Sequence, residues 1–120
     1  MTKPTSITQG AEFDLAVAER ELRLEDAYRL DGHTARTLVR EAMMRIVLLV
    51  MRAGAKIAEH RSQDAASIHV LAGHVRLTLP DRTVDLPAGK LLVIAPGLVH
   101  DVEAVADSAF LLTLAQSGQE

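Results

Sequence analysis

From Thr34 onward, short apolar runs are separated by turn residues roughly every 8 to 12 positions, the spacing of an all-β sandwich or barrel. The turn points are Ala53–Gly54, Ala72–Gly73, Pro80–Asp81, Pro87–Ala88–Gly89 and Pro96–Gly97. Between Arg45 and Met51 every interior position is apolar, which predicts a strand covered on both faces. Val75, Leu77 and Leu79 instead alternate with Arg76 and Thr78, so that strand turns one face to the core and one to water. Pro80–Asp81 then folds the chain back into Val84 and Leu86 as a hairpin, and Leu91 to Ile94 and Phe110 to Leu114 supply further strands.

Ahead of this β region, residues 11–30 are rich in Ala, Leu, Glu and Arg, which favours a helix. Leu15, Ala18 and Leu22 fall on one face of it, and Gly32 supplies its stop. Leu22 and Leu24 also alternate with charged neighbours, so a strand beginning there is the competing reading. The polar start is expected to be flexible. The division is therefore residues 1–10 as a flexible N-terminus, 11–32 as a helical segment and 33–120 as a β-barrel domain. No internal repeat or low-complexity segment interrupts it.

Composition narrows the choices. A chain of 120 residues suits one domain, and its core must be aliphatic, since hydrophobic residues make up 48% but aromatics only 2%. Phe13, Phe110 and Tyr28 offer no platform for stacking bases, and thirteen basic against sixteen acidic residues, with no basic run, give no footprint for nucleic acid. Absence of cysteine excludes disulfides, thiolate metal sites and cysteine nucleophiles. The longest apolar run, Ile46 to Met51, is far short of the ~20 residues of a membrane helix. A soluble, cytoplasmic protein that binds neither nucleic acid nor membrane is expected.

The glycine and histidine spacing adds a resemblance. Gly54, His60 and Gly73 stand at the intervals of the first motif of the cupin superfamily, in which Gly, five residues, His, one residue, His, three or four residues, Glu, six residues and Gly succeed one another. Gly89, Gly97 and His100 match the second motif, in which Gly is followed after five residues by Pro, after one by Gly and after two more by His. The resemblance covers about Arg45 to Ala115 and implies a cupin-type jelly-roll β-barrel preceded by a short N-terminal helix, similar to small single-domain bacterial members. Taken without the family, the glycines read simply as turn formers.

In metal-binding cupins, three histidines and a carboxylate from the two motifs converge inside the barrel. Here His60 and His100 occupy the first and last ligand positions, while Ser62 replaces the second histidine and Ala66 the glutamate; Ala95 and Ala104 replace the usual proline and asparagine. Two imidazoles make an incomplete shell, since a catalytic metal takes at least three protein ligands. His60, Ser62, Ala66 and His100 are accordingly expected to line a ligand pocket without a cofactor, with a divalent metal on His60 and His100 as the alternative. Asp64 reads as a turn residue, His69 as an interface or surface histidine, and His33 and His74 as turn or strand-edge residues. Arg36 and Arg40 admit two readings, contacts to an anionic ligand or solvated strand edges.

A small-molecule-binding or regulatory protein is the expectation. A metalloenzyme of oxygenase type, or a metal-free isomerase with an imidazole as general base, is the alternative, and an interaction module with a filled barrel is a third. The resemblance also implies a homodimer, paired through an outer sheet face. The helical segment is expected to close the barrel's open end or to meet a second subunit.

Overall fold

The computed structural model of the chain describes residues 10–115. Apart from Gly10, the flexible start expected over 1–10 lies outside the described residues. Asp14 accepts a hydrogen bond from Val17 N (3.1 Å) and so caps α1 (Leu15–Arg23), and α2 (Asp26–Asp31) follows. The single helix expected over 11–30 is thus two, broken at an exposed Leu24. Gly32 ends α2 at φ +83°, donating its N–H to Tyr28 O (2.9 Å).

Nine strands follow among the described residues: β1 (His33–Arg40), β2 (Met44–Met51), β3 (Lys56–His60), β4 (Ala65–Ala72), β5 (His74–Thr78), β6 (Thr83–Pro87), β7 (Leu91–Ile94), β8 (His100–Ala104) and β9 (Ser108–Ala115). They form a five-stranded sheet in the order β1-β2-β9-β4-β7 and a four-stranded sheet in the order β3-β8-β5-β6, with antiparallel pairing throughout. This is the jelly-roll barrel that the motif spacing implied, and β5–β6 is the hairpin expected at Pro80–Asp81.

Alternation along the strands creates two cores. Met51, Ile68, Val70, Val75, Leu77, Leu86, Ile94, Val102, Ala104 and Phe110 meet between the sheets. Leu48 and Val50, on the other face of β2, pack with Ala18, Leu22 and Tyr28. The helices therefore lie over the outer face of β1 and β2, which corrects the expectation that they close the barrel's open end. Leu48 and Val50 would otherwise expose an apolar stripe to water, so the chain covers it with its own amphipathic helix. Arg23 secures the cover, donating from one terminal nitrogen to Tyr28 Oη (2.7 Å) and from the other to Glu19 (3.1 Å) and Ser108 O (3.2 Å). No helix among the described residues is long and apolar enough to cross a membrane.

Candidate functional site

β3 and β8 are neighbours, and their register pairs Lys56 with Glu103, Ile57 with Val102 and His60 with His100. A bulge lies between Ile57 and His60. Its extra residue decides the pairing: unbroken register would set Glu59 opposite His100, and the bulge advances His60 into that place. On β8, His100, Val102 and Ala104 are buried in alternation, so the His100 ring, 5% exposed, faces the barrel. Its Nδ1 lies 3.0 Å from Leu98 O. A carbonyl oxygen only accepts, so Nδ1 carries the hydrogen and Nε2 is the acceptor whenever the ring is neutral.

Ala66 is buried on the inward face of β4, with register partners Leu114 and Ile94. The position of the family's carboxylate is a methyl group among aliphatic side chains. Ser62 Oγ accepts the N–H of Asp64 (3.1 Å), a local turn, while Ser62 O accepts the N–H of Gly97 (2.7 Å). That second bond ties the β3–β4 loop to the β7–β8 loop. Asp64 is thus the turn residue that the sequence suggested.

One residue at this end escaped the sequence reading. Arg45 shares strand parity with Leu49 and Met51, which pack in the barrel core, while Ile46, Leu48 and Val50 pack under the helices. Its partners in register are Leu114 on β9 and Arg40 on β1. Its Nε is buried and has no hydrogen-bond partner among the described residues. Even spacing from Val47, Leu49 and Met51 was the available signal, hidden because the run is apolar on both faces.

The other candidates lie elsewhere. Arg36 binds Glu21 (2.8 Å) and approaches Glu25 (3.8 Å), so its guanidinium serves the helix–sheet contact. Arg40 is exposed, His69 is exposed on the outer face of β4, and His33 opens β1 opposite Met51. On the outer face of the smaller sheet, His74 Nε2 (3.0 Å) and Arg76 Nε (2.9 Å) both meet Asp85 Oδ1. The hydrogen bond from Arg76, then that from His74, holds the Asp85 carboxyl below its ordinary range.

At the two remaining ligand positions of the family's first motif, Ala66 carries no donor and the Ser62 hydroxyl accepts the N–H of Asp64, whereas a catalytic metal takes at least three protein ligands.

The family model for the cupin domain matches residues 47–115. No curated protein matches the chain. Among solved structures, a conserved protein of unknown function from Streptococcus pyogenes is 25% identical with a TM-score of 0.75, the match covering 98% of this chain and 96% of that one. A cupin superfamily protein from Desulfitobacterium hafniense is 16% identical with a TM-score of 0.76, over 97% of this chain and 100% of the other. A variant of salicylate 1,2-dioxygenase from Pseudoaminobacter salicylatoxidans is 15% identical with a TM-score of 0.77, over 86% of this chain but 34% of the enzyme, a likeness of fold alone.

Proposed function

The chain belongs to the cupin domain family, and from that premise we propose that its barrel binds a small organic molecule without metal chemistry, at the end where His60, Ser62, Ala66 and His100 stand. The observation that carries the reading is Ala66, buried between Leu114 and Ile94 where the family places a carboxylate. A pocket with apolar walls and a few fixed polar groups suits an organic ligand, and the His100 ring is held in place through Nδ1. The same anchoring favours a second reading, a metal-free isomerase with an imidazole as general base.

The test is metal content after expression with iron, nickel, manganese and zinc supplied. Far less than one ion per chain is expected, rising toward one when Ser62→His and Ala66→Glu are introduced together. Near-stoichiometric metal in the unaltered protein, lost in His60→Ala and in His100→Ala, overturns the reading.

A homodimer belongs to the same proposal. The helices cover the outer faces of β1 and β2 and share a cluster with Ala109 and Leu111 of β9 and Leu71 of β4, which leaves the far ends of β9 and β4 and the outer face of β7. On β7, Leu91 and Val93 point outward at 59% and 66% exposure. Beside them lies a shallow depression of 160 Å³ lined by Ala65, Ala66, Ser67, Val93, Thr113 and Ala115. A second copy covering this patch would remove it from water.

A further inference from the structure

Packing does not account for Arg45. Register carries its row across the inward face of the five-stranded sheet as Arg45, Leu114, Ala66 and Ile94. Connectivity brings His100 to the same end of the barrel, because β7 closes at Ile94 and the chain returns through one short loop to open β8 at His100. At this end the buried Nε of Arg45 lacks an acceptor, and no ion pair among the described residues includes its guanidinium. Its partner on β1 is a second arginine, Arg40, a like charge directly opposite. Arg45 is half-buried, and a buried N–H left unmatched is costly, a cost removed by any ligand that brings the acceptor.

We infer that this end of the barrel takes a small monoanionic carboxylate, its oxygens on Arg45 and its apolar body against Leu114, Ala66 and Ile94. The inference rests on the pocket reading above and adds the class of ligand. A carboxylate matches the guanidinium fork and supplies one negative charge, while the aliphatic row suits an organic body. Phosphate has no such body and brings a larger charge to dehydrate than one arginine answers.

The experiment titrates the full chain with benzoate and hexanoate, with benzamide and hexanamide as neutral matches, and with inorganic phosphate, following the Arg45 Nε–H resonance in the unaltered chain and the backbone amides of Leu114, Ala66 and Ile94 in every chain. The carboxylates should shift these resonances saturably and the neutral amides should bind about ten-fold more weakly or worse. Arg45→Met should lower carboxylate affinity by about ten-fold or more without changing that of the amides. Arg45→Lys, which keeps the charge, should retain part of the affinity, and thermal melting confirms that both variants fold. Three results overturn the inference: no saturable shift with either carboxylate, phosphate binding tighter than both, or undiminished carboxylate binding in folded Arg45→Met. Equal binding of acids and amides also overturns it while leaving the small-molecule pocket standing, whereas near-stoichiometric metal strikes the pocket reading itself.

Discussion

Replacing Gly73 by alanine separates two costs that usually arrive together. Gly73 has φ +80° and links β4 to β5. A Cβ there would run into Asp107 O and Ser108 Oγ and stand 2.8 Å from Ser108 Cα. Ser108 is fully buried, and its hydroxyl accepts the N–H of His74 (2.9 Å) and lies within bonding reach of His74 O (3.1 Å) and Ala106 O (2.6 Å). Gly89 has a similar φ, +93°, with nothing within 4 Å of the added atom. Gly89→Ala should therefore lose only the backbone preference, about 1–2 kcal/mol. Gly73→Ala loses that and adds overpacking of about 1–3 kcal/mol. Disturbing the Ser108 bonds costs about 1 kcal/mol more.

Two to four kcal/mol of difference, at about 4 °C each for a chain of this size, puts Gly73→Ala roughly 10 °C or more below Gly89→Ala in thermal melting followed by circular dichroism. Ser108→Ala supplies an internal check: with Oγ gone, the additional penalty of Gly73→Ala should shrink by about 1 kcal/mol, while Asp107 O and Ser108 Cα keep the rest. Melting points of the two glycine variants within about 3 °C of each other would refute the steric argument.

Leu22, fully buried under β2, should cost about 2–5 kcal/mol as Leu22→Ala, against about 0.5 kcal/mol or less for the exposed Val17→Ala; equal urea midpoints would mean that the helices are not part of the cooperative fold. Asp85 should titrate below an ordinary aspartate in a carbon-detected NMR titration, and Arg76→Ala should raise its midpoint more than His74→Ala does. Because its folded-state value is depressed, Asp85 adds stability above the unfolded-state value and loses it as pH falls through the folded one, so Asp85→Asn should flatten that acid limb of the melting curve; an unchanged limb counts against the ion cluster. Leu91→Glu with Val93→Glu should turn a dimer into a monomer in sedimentation equilibrium, and an unaltered chain that is monomeric at high concentration ends the pairing proposal.

The strands were legible wherever one face is wet or the run is bounded by glycine and proline, as at β5, β6 and β7, because a period of two survives in the residues themselves. β8 was not: His100, Val102 and Ala104 face inward between Asp101 and Glu103, and such a polar run looks like loop until burial is known. Motif spacing brought residues 60 and 100 together, but the bulge that selects His60 over Glu59 leaves no trace in composition. Propensity found the helical segment and its buried face at Ala18 and Leu22, yet not where it docks, since that depends on which side of β2 lacks another cover.

Arg45 and Ala66 are two halves of one electrostatic change. They lie in the same inward row with Leu114 between them, two strand spacings or about 9–10 Å apart at the backbone. A long arginine and a glutamate at position 66 can meet across that span, so a chain keeping the family's carboxylate would have an internal acceptor for the guanidinium. With alanine there, no inward position of the row offers an acceptor, and Nε is left buried and unmatched. A hydrogen bond from a charged donor is worth about 1.5–3 kcal/mol net, or roughly ten- to a hundred-fold in affinity, enough for one residue to set the ligand's charge. Ala66→Glu alone should then compete with an external carboxylate for the same guanidinium, supplying from within the chain the negative charge that the pocket otherwise takes from its ligand.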